Sequence, residues 1–146
     1  MERSTERDIE WDCTQVIIQF YNDLDARRYD TLVGLFAPDG IWMRQGEEVK
    51  GRDKIMEIMA GRPGAENQQI RHMVSNIQVS VVDENTANTQ QYVTIYRHDS
   101  DEPIKGPAPM EGGPGIIFLY EDEMMRTPDG WKISHKKGRP LLRKKH

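Results

Sequence analysis

The stretch Arg71-His72-Met73-Val74-Ser75-Asn76-Ile77-Gln78-Val79-Ser80-Val81-Val82 changes character with a period of two over most of its length. Successive side chains of an extended chain point to opposite faces, so the pattern predicts a long strand over 71–82. Asp83-Glu84-Asn85 supplies turn chemistry, and 87–98 predicts the returning strand of a hairpin. In strict alternation His72, Val74, Asn76 and Gln78 share one face, while Met73, Ser75, Ile77 and Val79 take the other.

Working outward, residues 99–115 are rich in Pro, Gly and charge and predict a long loop, a length that is often functional. A third strand is expected over 115–125, a turn at Thr127-Pro128-Asp129-Gly130, and a last strand over 131–136. Upstream, Ile9, Cys13, Val16, Ile17, Phe20, Tyr21 and Leu24 recur at helical spacing and predict an amphipathic helix over 8–28. A short helix is expected over 29–36, ended by Ala37-Pro38-Asp39-Gly40. Ile41-Trp42-Met43-Arg44 predicts a strand, and a third helix follows Gly51, with Ile55, Met56, Ile58 and Met59 apolar. Helices first and an antiparallel meander afterwards predict an α+β domain with its helices on one face of a sheet. The expected organisation is a disordered start over 1–7, one domain over 8–137, and a basic tail over 138–146.

A chain of 146 residues can bury a self-standing core. Its net charge of −4 excludes a globally basic nucleic-acid binder. The single cysteine, Cys13, rules out an internal disulfide and reads as a small buried apolar residue. No apolar run is long enough to span a membrane, and the charged start is unlike a secretory signal, so a cytoplasmic protein is the default expectation. His72, His98, His135 and His146 lack paired ligand spacing, and neither a phosphate loop nor a dinucleotide fingerprint is present. No metal and no cofactor are expected.

Several phrases in this order resemble the SnoaL-like branch of the nuclear transport factor 2-like superfamily. They are Phe20-Tyr21-Asn22-Asp23-Leu24-Asp25-Ala26-Arg27-Arg28-Tyr29-Asp30, Leu35-Phe36-Ala37-Pro38-Asp39-Gly40-Ile41-Trp42, Gly51-Arg52-Asp53-Lys54-Ile55, Arg71-His72-Met73-Val74-Ser75-Asn76 and Gly130-Trp131-Lys132-Ile133. The resemblance implies a cone-shaped, cystatin-like roll: three N-terminal helices on a strongly curved, mostly antiparallel sheet that encloses a pocket. It also implies a homo-oligomer, and the branch includes dehydratases, polyketide cyclases, a dehydrochlorinase and small subunits of ring-hydroxylating dioxygenases. Fold alone therefore leaves the function open.

In the dehydratase and dehydrochlorinase members an Asp near the end of the first helix pairs with a His on a long strand. Asp25 and His72 match those two positions. Read without the resemblance, Asp25 could be an exposed helix-end residue or a cap of the next helix, like Asp23 and Asp30, and His72 a core residue. Together they form a candidate dyad, with imidazole the side chain that ordinarily exchanges protons near neutral pH. Tyr21, Trp42, Asn76, Tyr92, Tyr96 and His135 are candidate substrate-binding residues of the same cup, each with core packing or a strand edge as its alternative. Scytalone-type members carry a second His in the returning strand, where this chain has Gln90-Gln91-Tyr92, so a simpler dyad is implied. The expectation is a cofactor-independent lyase or isomerase acting on a small, largely apolar, cyclic molecule. The alternative is a non-catalytic ligand-binding or assembly subunit.

Overall fold

Ile9, Cys13, Ile17, Phe20, Tyr21 and Leu24 form the buried stripe of the first helix, α1 (Arg3–Ala26). The computed structural model describes residues 1–110 and 112–145. Glu111 of the expected loop and His146 of the expected tail lie outside the described residues. Helix α1 begins at Arg3, so the stretch expected to be disordered is largely helical. Apolar periodicity locates the buried part of a helix, whereas solvated turns can extend beyond it.

Helix α2 (Tyr29–Val33) follows, then strands β1 (Phe36–Arg44) and β2 (Glu47–Lys50), helix α3 (Arg52–Ala60), and strands β3 (Gln68–Val81), β4 (Thr86–Asp99), β5 (Ile116–Thr127) and β6 (Gly130–Arg143). One six-stranded sheet runs β2-β1-β6-β5-β4-β3, antiparallel except where β1 meets β6. Helices pack on this curved, mixed sheet, which is the expected α+β roll. Phe20, Phe36 and Trp42 meet at ring-centroid distances of 5.2 to 6.0 Å and join α1 to β1 in the core.

Three differences from the sequence reading have local causes. Ala37-Pro38-Asp39-Gly40 lies inside β1 as an irregularity, since Phe36 pairs with Ile133 but Ile41 already pairs with His135. Proline, which has no N–H to donate, is tolerated there. A Cβ at Gly40 would sit 2.9 Å from the Ile133 carbonyl oxygen, so close backbone approach requires glycine. Strand β2 went unread because its hairpin is closed by Gln45-Gly46 at φ 51° and 81°, a tight turn that an Asn-Gly pair would have signalled more clearly. Finally, β6 runs to Arg143, paired with Ile116, so most of the expected tail is a strand. Its side chains are exposed, and its pairing is through backbone groups that composition does not report.

Candidate active site

Asp25 stands on the last turn of α1, just before Arg27 leaves the helix at φ 59°. The buried neighbours Tyr21 and Leu24 seat this end of the helix against the sheet. Arg27 then fixes its approach: its guanidinium donates to the Gln68 carbonyl at 3.3 Å and to Gln68 Oε1 at 3.2 Å. Gln68 in turn donates to Asp99 Oδ1 at 2.9 Å, so the helix end is tied to the start of β3 and the end of β4.

His72 is four residues into β3 and is held by Asp25 at two points. Asp25 Oδ2 accepts the His72 backbone N–H at 2.8 Å, and Oδ1 lies 2.6 Å from Nδ1. The two side chains are 12% and 11% exposed, respectively. An ionised carboxylate only accepts, so Nδ1 is the donor in this contact, and in the neutral ring that tautomer carries its lone pair on Nε2. Tyr21 lies nearly parallel to the imidazole, with ring centroids 6.0 Å apart.

His72 opens into a cavity of about 1460 Å³. Tyr21, Trp42 and Tyr96 also line it, as do Ile95, Phe118 and Tyr120. Trp42 is buried and its Nε1 has no hydrogen-bond partner. The Tyr21 hydroxyl is buried beside Gln91. Burial, then the Asp122 charge, pushes the Tyr21 phenol well above its ordinary pKa, and burial pushes Tyr120 up to about 12, so both remain donors.

Three expected binding residues lie elsewhere. Asn76 is exposed at φ 53°, in a bulge where the β3–β4 register shifts between Ser75 and Gln78. The bulge turns Ile77, Val79 and Val81 inward in its place. Tyr92 is 38% exposed and points away from the face carrying the buried Gln91 and Val93. His135 is displaced by a second bulge, between Glu123 and Met124, and lies 3.7 Å from Glu123 Oε2. Tyr96 contributes to the rim, but it pairs with Arg71, whereas His72 pairs with Ile95. Asp23, expected to be exposed or to cap the next helix, is buried between Gln19 (2.7 Å) and Arg28 (2.9 Å), and no described side chain caps α2.

Behind Tyr21 lies a buried ion pair that the sequence reading missed. Lys136 Nζ is 2.5 Å from Asp122 Oδ2, and both side chains are fully buried. Gln91 Nε2 donates to the same oxygen at 3.3 Å. The ammonium is also 4.5 to 5.1 Å from the ring centroids of Phe20, Tyr21 and Tyr120. The available signal was Asp122 standing in phase with Tyr120 and Met124 on an otherwise apolar inward face.

Helices on a curved sheet, with a carboxylate–imidazole pair at the wall of a large cavity, define a pocket-forming α+β domain. The chain belongs to the SnoaL-like domain family, whose model matches residues 6–137. An uncharacterized Mycobacterium tuberculosis protein, Rv2910c, is 25% identical over 126 residues, covering 82% of this chain and 76% of the relative. Among solved structures, a Novosphingobium aromaticivorans protein assigned as a scytalone dehydratase superimposes with TM-score 0.81 at 19% identity, covering 99% of this chain and 92% of that one. The hexachlorocyclohexane dehydrochlorinase LinA-type3 of Novosphingobium barchaimii gives 0.76 at 15% identity, covering 98% and 93%. ActVI-ORFA of Streptomyces coelicolor gives 0.72 at 17%, covering 89% and 95%. At these identities the structural likeness establishes the fold. Among the described residues, no helix is long and apolar enough to cross a membrane.

Proposed function

We propose that the protein is a cofactor-independent lyase or isomerase that removes a carbon-bound proton from a small cyclic substrate. The observation that carries this reading is the two-point grip of Asp25 on His72 at the cavity wall. His72 Nε2 takes a proton from the carbon next to an electron-withdrawing group, and the C–H electron pair becomes the new π bond. In elimination the leaving group departs from the adjacent carbon with its bonding pair, and a leaving hydroxyl receives the proton back from the imidazolium. Asp25 keeps the ring proton on Nδ1 and stabilises the imidazolium once it forms. The Tyr120 hydroxyl, held protonated by burial, can donate to an oxygen that gains negative charge. An open cavity favours catalysis over the assembly-subunit reading, in which side chains would fill the cup.

The test is His72→Ala against a panel of cyclic hydroxy ketones and halides, with loss of starting material followed by NMR. The variant is expected to keep the wild-type circular dichroism spectrum and thermal transition and to lose turnover. A folded His72→Ala protein that turns over substrate at the wild-type rate would overturn the proposal.

A further inference from the structure

Beyond the Asp25 carboxylate that holds His72, the charged side chains among the described residues lining the cavity are cationic. They are Arg44, Arg62, Arg97, Arg143 and Lys144. The whole chain nevertheless carries a net charge of −4. Arg97 is drawn off by Asp99 at 2.8 Å, and Arg62 spends one nitrogen on the Leu24 carbonyl and the Tyr29 hydroxyl. Arg44 differs from both. Its guanidinium lies 4.8 Å from the centroid of the Trp42 ring, and its Nη1 is buried with no hydrogen-bond partner.

A buried donor without an acceptor is costly, and an unneutralised charge more so. Burial and the nearby Arg62 both lower the Arg44 pKa, while Tyr120 raises it. Nη1 itself is closed off from the cavity, so a bound anion would meet the rest of the guanidinium and offset the repulsion from Arg62. The planar guanidinium fork matches a carboxylate with two parallel hydrogen bonds, which a lysine cannot do.

We propose that the cavity takes a cyclic or aromatic carboxylate, with its carboxyl group on Arg44 and its ring against the apolar wall of Ile95, Ile116 and Phe118. Arg44 thereby determines specificity and orients the ring toward His72. This deepens the reading of the cavity as a proton-abstracting site, and only the presentation to His72 depends on that reading.

The experiment is isothermal titration of the full-length protein with 1-naphthoate and with 1-naphthamide, which share a shape and differ in charge. Wild type is expected to bind the carboxylate at least about tenfold more tightly than the amide, a preference that shrinks as salt is added. Arg44→Gln brings the two affinities together, and its circular dichroism spectrum and thermal transition check that it folds. Arg44→Lys, which keeps the charge and loses the fork, falls between. His72→Gln retains the full preference, which separates this proposal from the catalytic one. A turnover-competent His72→Ala protein that still prefers naphthoate would overturn the catalytic reading and leave this one standing. Equal affinities in wild type, a preference that survives Arg44→Gln, loss of both probes in that variant, or binding of neither probe would overturn it.

Discussion

Asp25 and His72 are joined by two contacts of different kinds, backbone N–H to Oδ2 at 2.8 Å and imidazole Nδ1 to Oδ1 at 2.6 Å. The first contact fixes the carboxylate against the strand, which leaves the second oxygen only one direction in which to act. In Asp25→Asn the backbone N–H still requires an oxygen, so the amide NH2 must face Nδ1. The ring then has to accept at Nδ1 and carry its proton on Nε2, and it can no longer serve as a base toward the cavity. The expected outcome is a fall in kcat on the order of 100-fold or more, with the fold intact. Nitrogen-15 shifts of the His72 ring should report the Nδ1–H tautomer in wild type and the Nε2–H tautomer in the variant. An unchanged tautomer with unchanged turnover would remove the positioning role assigned to Asp25.

Cys13 tests the first helix's burial by chemistry rather than by stability. The side chain is buried, and desolvation, aided by the Asp12 charge and opposed by Arg126, pushes its pKa from 9.0 up to about 12. The thiolate is the reactive species, so native Cys13 should resist disulfide-exchange reagents at pH 8 to 9. The same protein in urea should react within minutes. Because the folded pKa lies above the unfolded one, the contribution to stability is complete below about pH 9 and is lost as pH rises toward 12. Native labelling as fast as denatured labelling would place Cys13 outside the core.

The bulge at Asn76 predicts an uncommon order of substitutions. A non-glycine residue at φ 53° is tolerated when it is Asn and strained when it is β-branched. Asn76→Gly should leave the urea midpoint unchanged or raise it, whereas Asn76→Val should lower stability by about 1–2 kcal/mol. Because Asn76 is exposed and outside the cavity, Asn76→Ala should leave turnover and probe affinity at wild-type values. A marked loss of activity in that variant would return Asn76 to the site.

The same bulge explains which parts of the site could be read in advance. Carried on from Val81 opposite Ala87 without interruption, the ladder would set His72 opposite Tyr96; the extra residue at Asn76 sets it opposite Ile95 instead. Period-two reasoning therefore placed Asn76 with His72, although the inward face carries Ile77. For Tyr92 the expectation chose the wrong face of β4 as inward, since Gln91 and Val93 are its buried residues. His135 was displaced by the bulge in the β5–β6 ladder. Helical periodicity has no such failure over α1, and every buried apolar residue of that helix was legible from spacing. Asp25 and His72 were matched through family phrases. The two-point contact itself depends on Arg27 tying the helix end to Gln68, which no local pattern encodes.

The Lys136–Asp122 pair carries the largest stability prediction. Burial raises the Asp122 pKa despite Lys136 and lowers the Lys136 pKa despite Asp122, so both shifts oppose the charged forms. By sign, the Asp122 contribution is present below its ordinary pKa and lost as pH rises through the folded value. The Lys136 contribution is present above its ordinary pKa and lost as pH falls through the lowered value. Near neutral pH the pair thus stands at a cost relative to apolar residues of the same size, while removing one member strands a buried charge. Lys136→Met alone should lose about 3–5 kcal/mol in urea denaturation, and Asp122→Leu alone a comparable amount. Gln91 donates to the same Asp122 oxygen, so a neutral replacement must include it. Gln91→Met, Asp122→Leu and Lys136→Met combined should return stability to within about 1 kcal/mol of wild type or above it. If the triple variant instead loses as much as the single ones added together, the pair is a net source of stability and the desolvation argument fails.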